Sequence, residues 1–143
     1  MSPRGGQATL HAPGQLVIYP CVHLTRIGIG VREYVGLLER TTQNFLKDLE
    51  IDSTPNPNEP GLYTEKGKIA FFGIRVTHAI ASHGIAINVT NDLSLFKLIR
   101  SCGVDGEAFD SISERKKKFP SAPLKQLFAL WVNHFRKELE RIS

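Results

Sequence analysis

The side chain best suited to nucleophilic chemistry in this sequence is Cys102, set between Ser101 and Gly103. A short helix predicted over Leu93–Ile99 ends just before it, so the thiol falls at a helix-to-loop junction and can face a pocket. A thiol attacks as its thiolate, and with a free-thiol pKa of about 8.5 little of it is ionised at neutral pH without help. Taken alone, an isolated cysteine is more often a small buried core residue. Other chemistries find less support. Neither a phosphate-binding P-loop nor a dinucleotide GxGxxG occurs, and Gly28-Ile29-Gly30 lacks a third glycine at the right spacing. No two histidines have helical metal-ligand spacing, so no metal site is expected.

The 143 residues suffice for one domain around one core, and the whole chain, 1–143, is expected to be that domain. An apolar fraction of 41% with 22% charged residues fits an ordinary globular protein. No apolar run reaches the roughly 18 residues of a membrane span, and MSPRGGQATL has no leader character, so a cytoplasmic location is expected. The two cysteines, Cys21 and Cys102, are too few for a disulfide framework or zinc site and read as free thiols. A net charge of +4 permits an acidic partner. The run Arg115-Lys116-Lys117-Lys118 is short and reads as a solvated segment; neither nucleic acid nor membrane is expected as a partner.

The elements that must position Cys102 follow from pattern. Gln7–Leu24 is rich in β-formers and broken by the turn Ala12-Pro13-Gly14, which predicts strands at Ala8–His11 and Leu16–Val22. Val31, Tyr34, Val35, Leu38, Phe45 and Leu49 form one face of a helix over Val31–Leu49. Residues 51–61 hold three prolines and read as a loop. Gly61–Thr64 and Lys68–Thr77 form a hairpin candidate through Glu65-Lys66-Gly67, and a further strand is predicted at Gly84–Thr90. Asn91 or Asp92 caps the helix before Cys102. Ser121 as N-cap and Pro123 in the first turn open a last helix, with Leu124, Leu127, Phe128, Trp131, Phe135, Leu139 and Ile142 as its apolar face. The sum is an α+β domain, a mixed sheet with flanking helices.

Two strings go further. RGGQATLHAPGQLVIYP, Arg4–Pro20, resembles the opening active-site motif of the lipoate–protein octanoyltransferases. KIAFFGIRVTHAIASHGIAINVTNDLSLFKLIRSCG, Lys68–Gly103, is similar to that family's second and third motifs joined in order, with HGIAINV between Lys68 and Cys102. Three ordered motifs at matching spacing are far more specific than any one of them. The resemblance is close up to Gly103 and looser over the C-terminal helix.

The resemblance implies the fold of the biotin and lipoate protein ligase catalytic domains. It also implies an acyltransferase of lipoate biosynthesis, needing no cofactor, that moves an octanoyl group from octanoyl-acyl carrier protein to a lysine of lipoyl domains. Those acceptors are the lipoyl domains of 2-oxoacid dehydrogenases and the glycine cleavage H protein. Cys102 is then the nucleophile that carries the acyl group as a thioester. The donor is already a thioester, so transfer to a cysteine is nearly even in free energy and ATP is unnecessary. Lys68, otherwise an ordinary strand lysine, becomes its proton-handling partner: its ammonium favours the thiolate, and its amine takes a proton from the attacking lysine.

Substrate contacts are implied for Arg4, Gly5, Gly6, Gln7, Ala8, Thr9, Leu10 and His11 of the first motif. Phe71, Phe72 and Gly73 of the second are implied likewise, with His83, Gly84, Ile85 and Ala86 following. Gly5 and Gly6 let backbone amides approach the acyl group, and Gly73, Gly84 and Ala86 leave room for an extended chain. The plainer reading of these glycines is that they shape turns and strand crossings. Burying the octanoyl tail, at roughly 0.8 kcal/mol per CH2, contributes on the order of 5 kcal/mol, enough to rank chain lengths.

The chain departs from the family pattern at three places. Phe71-Phe72-Gly73 stands where Ala-Ile-Gly is usual, adding bulk beside the acyl site, and Phe109-Asp110-Ser111 stands where Val-Thr-Ser is usual. The segment that family members carry before RGG is absent, which predicts exposed apolar surface and self-association. Two rival readings are an ATP-dependent lipoate ligase on the same fold and a non-catalytic remnant that binds lipoyl domains or acyl carrier protein.

Overall fold

The structure, a computed structural model, describes residues 11–98, 108–115 and 124–142. Among these, six strands form one sheet in the order β1-β6-β5-β4-β3, with β2 also on β6. The strands are β1 (Gln15–Ile18), β2 (Val22–His23), β3 (Thr54–Asn56), β4 (Glu59–Thr64), β5 (Gly67–Thr77) and β6 (Ile80–Asn88). Every strand pairing is antiparallel, and one parallel bridge, Lys68 to Phe109, makes the sheet mixed. The helices are α1 (Leu24–Ile27), α2 (Val31–Asp48), a 3-10 turn at Leu93–Leu98, α3 (Ile112–Arg115) and α4 (Leu124–Ile142).

The long helix α2 forms where its apolar spacing predicts, and the Glu33 carboxylate accepts from the Gly30 amide at 3.3 Å to close its first turn. It buries Tyr34, Leu37, Leu38, Phe45 and Leu46, whereas Val31, expected on that face, is 47% exposed. Two threonines complete the face: Thr41 bonds back to the Leu37 carbonyl and Thr42 accepts from Trp131 Nε1 at 3.0 Å. Trp131 lies on α4, which packs along α2. On α4 the buried residues are Leu127, Trp131 and Glu138, while Phe128 is exposed. Glu138 tolerates burial because Arg40 at 3.3 Å and Arg141 at 3.2 Å pair with it. The helix pair joins Leu16, Ile18, Leu62, Ile69, Ala70, Phe72, Ile85 and Ile87 of the sheet in a single core.

Several expected boundaries change. Leu16–Val22 is two strands in one register along the same edge of β6; the ladder is interrupted at Tyr19-Pro20-Cys21, where Pro20 has no amide to donate, and Cys21 is exposed in that connection. Residues 51–61 are not a loop throughout; β3 and the start of β4 form a hairpin there, Pro55 lying on the edge strand β3 where a missing donor is tolerated and Pro60 preceding Gly61, the first residue of β4 paired with β5. Residues 8–10 of the first expected strand, and Ser121 and Pro123, lie outside the described residues. Asp92 caps the 3-10 turn by accepting from Ser94 N and Oγ, which holds its carboxyl below the usual range. Asn91 instead ties Val89 N to the Asn88 side chain.

β6 begins at Ile80, four residues before the predicted start, because β5 and β6 meet in a two-residue turn at His78-Ala79. Both turn residues have positive φ, 52° and 66°, the backbone of a primed hairpin turn that glycine or asparagine usually occupies. Left-handed φ costs an alanine about 1–2 kcal/mol, partly offset by the smaller unfolded-state entropy it has relative to glycine. Ala79→Gly should therefore stabilise the fold by a net ~0.5–1 kcal/mol, read as a higher melting temperature. An unchanged or lower melting temperature contradicts this.

Candidate active site

Lys68 is the most deeply buried charge on the sheet, with its side chain 0% exposed. It lies on the sheet face opposite the core. Strict alternation puts Lys68 and Phe71, three residues apart, on opposite faces. A bulge changes this: Tyr63 pairs with Lys68 and Leu62 with Ala70, so Ile69 is the extra residue of β5. Ile69 and Ala70 both enter the core, and Lys68 and Phe71 emerge together on the other side. The Lys68 Nζ lies 4.9 Å from the Phe71 ring centre and 5.6 Å from that of Tyr63.

The lysine stem passes over Gly61. A Cβ there would come within 2.6 Å of Lys68 Cε and 2.7 Å of the Ala70 carbonyl. Glu59 and Tyr63, two residues to either side on β4, share this face; Glu59 Oε2 lies 3.8 Å from Nζ and accepts from the Tyr63 hydroxyl at 2.6 Å. Gly61→Ala must move either the lysine or the β4–β5 backbone. We expect a loss of about 1–3 kcal/mol in stability with a fall in any reaction that uses Lys68. An alanine variant with native melting and native rate would show the lysine placement to be unimportant.

On the other edge of β5, Ala108–Asp110 runs beside Lys68. Lys68 N donates to the Ala108 carbonyl and Asp110 N to the Lys68 carbonyl, both at 2.9 Å. Gly67, with φ of 149°, allows this approach, since a Cβ there would meet Ala108 backbone. The Asp110 carboxylate accepts from Thr64 Oγ1 and from Ser111 N, and pairs with Arg115 Nε at 3.3 Å. Arg115 also binds Glu65 at 2.8 Å, which holds the Glu65 carboxyl below its usual range. Phe96 and Phe109 stack at 4.3 Å, and both stack on Phe71, at 5.5 and 6.0 Å. The two stems of the segment that carries Cys102 are thus joined beside Lys68.

The expected site residues divide accordingly. Phe71, Gly73, Gly84 and Ala86 share the Lys68 face, as their pairing (Phe71 with Ala86, Gly73 with Gly84) requires. Phe72 and Ile85 are drawn away from it; they pair with each other and point into the core, 8% and 2% exposed. At Gly84 the missing side chain makes room for the Ile18 carbonyl and for Pro20, where a Cβ would stand 2.6 Å from Cδ. That space is filled by the adjoining chain at Ile18–Pro20 and not by an open channel. His83 pairs with Ile74 through the backbone. His11 is exposed and shares a hydrogen bond of 2.8 Å between its Nδ1 and Gln15 Oε1. Arg4, Gly5, Gly6, Gln7, Ala8, Thr9, Leu10 and Cys102 lie outside the described residues.

Sequence reasoning missed Glu59, Tyr63 and Gly61, and also a buried polar chain. In that chain Gln15 Nε2 donates to Asn88 Oδ1 at 3.1 Å, and Asn88 Nδ2 donates to the Asp110 carbonyl at 3.1 Å. An asparagine closing the apolar run Ile85-Ala86-Ile87 was the available signal.

The sheet, the helix pair behind it and the lysine-centred face define an α+β domain of the biotin and lipoate protein ligase fold. Lipoate-protein ligase A bound with ATP superposes with a TM-score of 0.72 at 14% identity, covering 96% of this chain and 57% of that one. Biotin protein ligase from Aquifex aeolicus superposes at 0.70 with 13% identity, covering 90% and 54%. The profile of the lipoyl protein ligase A/B catalytic domain matches residues 2–136, and the chain belongs to that family. Among its relatives are octanoyltransferases of Cellvibrio japonicus, 44% identical over 118 residues, and Saccharophagus degradans, 48% identical over 103. These alignments cover 82% and 72% of this chain, and it spans about half the length of these relatives, 55% and 48%.

Proposed function

We propose that residues 1–143 act as one catalytic unit, an octanoyltransferase of lipoate biosynthesis working in the cytoplasm. The donor is octanoyl-acyl carrier protein. The acceptor is a lysine on the lipoyl domains of 2-oxoacid dehydrogenases and on the glycine cleavage H protein. The observation that carries the reading is the buried Lys68 beside the joined stems of the Cys102 segment.

In the first half-reaction the Cys102 thiolate attacks the donor thioester carbonyl, and the carrier protein leaves as its thiolate and takes its proton from the Lys68 ammonium, which becomes the free amine. The Lys68 ammonium favours the attacking thiolate. In the second, the acceptor amine attacks the acyl-cysteine, Lys68 as free amine takes the amine's proton, and the Cys102 thiolate is expelled. An amide replaces a thioester, which makes the sequence downhill without a nucleotide. Phe71, Gly73 and Ala86 would border the acyl chain, and substrate contacts are proposed for Arg4–His11 and His83 as well. The test is transfer from octanoyl-acyl carrier protein to an apo lipoyl domain without ATP. Acylation that appears only with free octanoate and ATP would show a ligase, and none under either condition would show a non-catalytic module.

A further inference from the structure

We propose that Glu59, held by the Tyr63 hydroxyl, is a positioning residue that fixes the Lys68 ammonium on the site face. This rests on the reading of Lys68 as the proton-handling group. Glu59 and Tyr63 flank Gly61 on one face of β4, and the lysine stem crosses the gap between them. One carboxylate oxygen, Oε2, serves both partners: it takes the Tyr63 hydroxyl at 2.6 Å and faces Nζ at 3.8 Å. The tyrosine thereby fixes the carboxylate rotamer, and the carboxylate in turn sets where the ammonium rests.

Among the described residues, the charges on neighbouring elements have contacts of their own. Asp110 and Glu65 both pair with Arg115, and Lys66 lies in the exposed turn before β5. Glu59 is 22% exposed and Lys68 not at all, so the carboxylate is also the hydrated edge of the pair. An ammonium is costly to bury without a negative partner. Glu59 thus keeps the Lys68 nitrogen in register on the site face.

The experiment compares kcat and KM of octanoyl transfer for the unmodified chain, Glu59→Gln, Tyr63→Phe, the double variant and Lys68→Met. In Glu59→Gln kcat should fall by about tenfold with KM for the donor unchanged, since a misplaced reacting group costs rate rather than binding. Tyr63→Phe should lower kcat by less, and the double variant should match Glu59→Gln, because the tyrosine acts through the carboxylate. A native kcat in Glu59→Gln or, should that variant not fold, in Tyr63→Phe, overturns the proposal. If Lys68→Met is meanwhile inactive, the reading of Lys68 stands without it. Native activity in Lys68→Met overturns the reading itself.

Discussion

Lys68→Met is expected to reduce octanoyl transfer by about 10²–10⁴-fold, the range that general acid–base groups contribute, while leaving the fold intact. Methionine matches the lysine stem in length and can follow its path over Gly61, so packing is preserved. The replacement removes a charge from a side chain that is 0% exposed, which relieves a desolvation cost. Glu59 loses a partner but keeps the Tyr63 hydroxyl and its contact with water. Activity and stability therefore separate: transfer falls and the melting temperature stays within a few degrees. A purely structural lysine would give the reverse pattern, and a variant that melts early yet turns over normally when folded would contradict the assigned role.

Cys102→Ser is expected to abolish turnover. A serine hydroxyl is scarcely ionised near neutrality, and an amine is too weak a base to activate it for attack on a thioester. Cys21→Ser is the internal comparison. Cys21 is exposed in the β1–β2 connection, away from the core, and its replacement should leave rate and melting close to native. Surface substitutions of this kind stay within about 0.5 kcal/mol. Loss of turnover in both variants would mean that the thiols act through structure.

The main helices were legible because their apolar residues keep one period over many positions, and the central hairpin because of its turn Glu65-Lys66-Gly67: α2, α4 and the β4–β5 pair lie close to where pattern predicts them. What the sequence hid has local causes. The bulge at Ile69 inverts the alternation of β5, so no period-2 reading brings Lys68 and Phe71 together, and Phe72 and Ile85 look as accessible as their neighbours. The His78-Ala79 turn contains neither glycine nor asparagine, which concealed the first half of β6. Glu138 reads as a solvent-facing helix residue, yet two arginines, one of them on α2, let it be buried. Glu59 was obscured by the prolines on either side, which made 51–61 look like a loop rather than a strand facing the site. Three glycines on or beside the Lys68 face also proved more specific than expected: Gly61 accommodates the lysine, Gly67 the chain at Ala108 and Gly84 the Ile18 carbonyl and Pro20.

The most direct measurement is the intact mass of the protein after mixing with octanoyl-acyl carrier protein in the absence of ATP, followed by peptide mapping. The account predicts a mass increase of one octanoyl group, located on the Cys102 peptide, labile to hydroxylamine and discharged when an apo lipoyl domain is added. An acyl group on Cys21 or on a lysine, an adduct that the lipoyl domain cannot discharge, or no adduct while transfer proceeds would each contradict transfer through a Cys102 thioester.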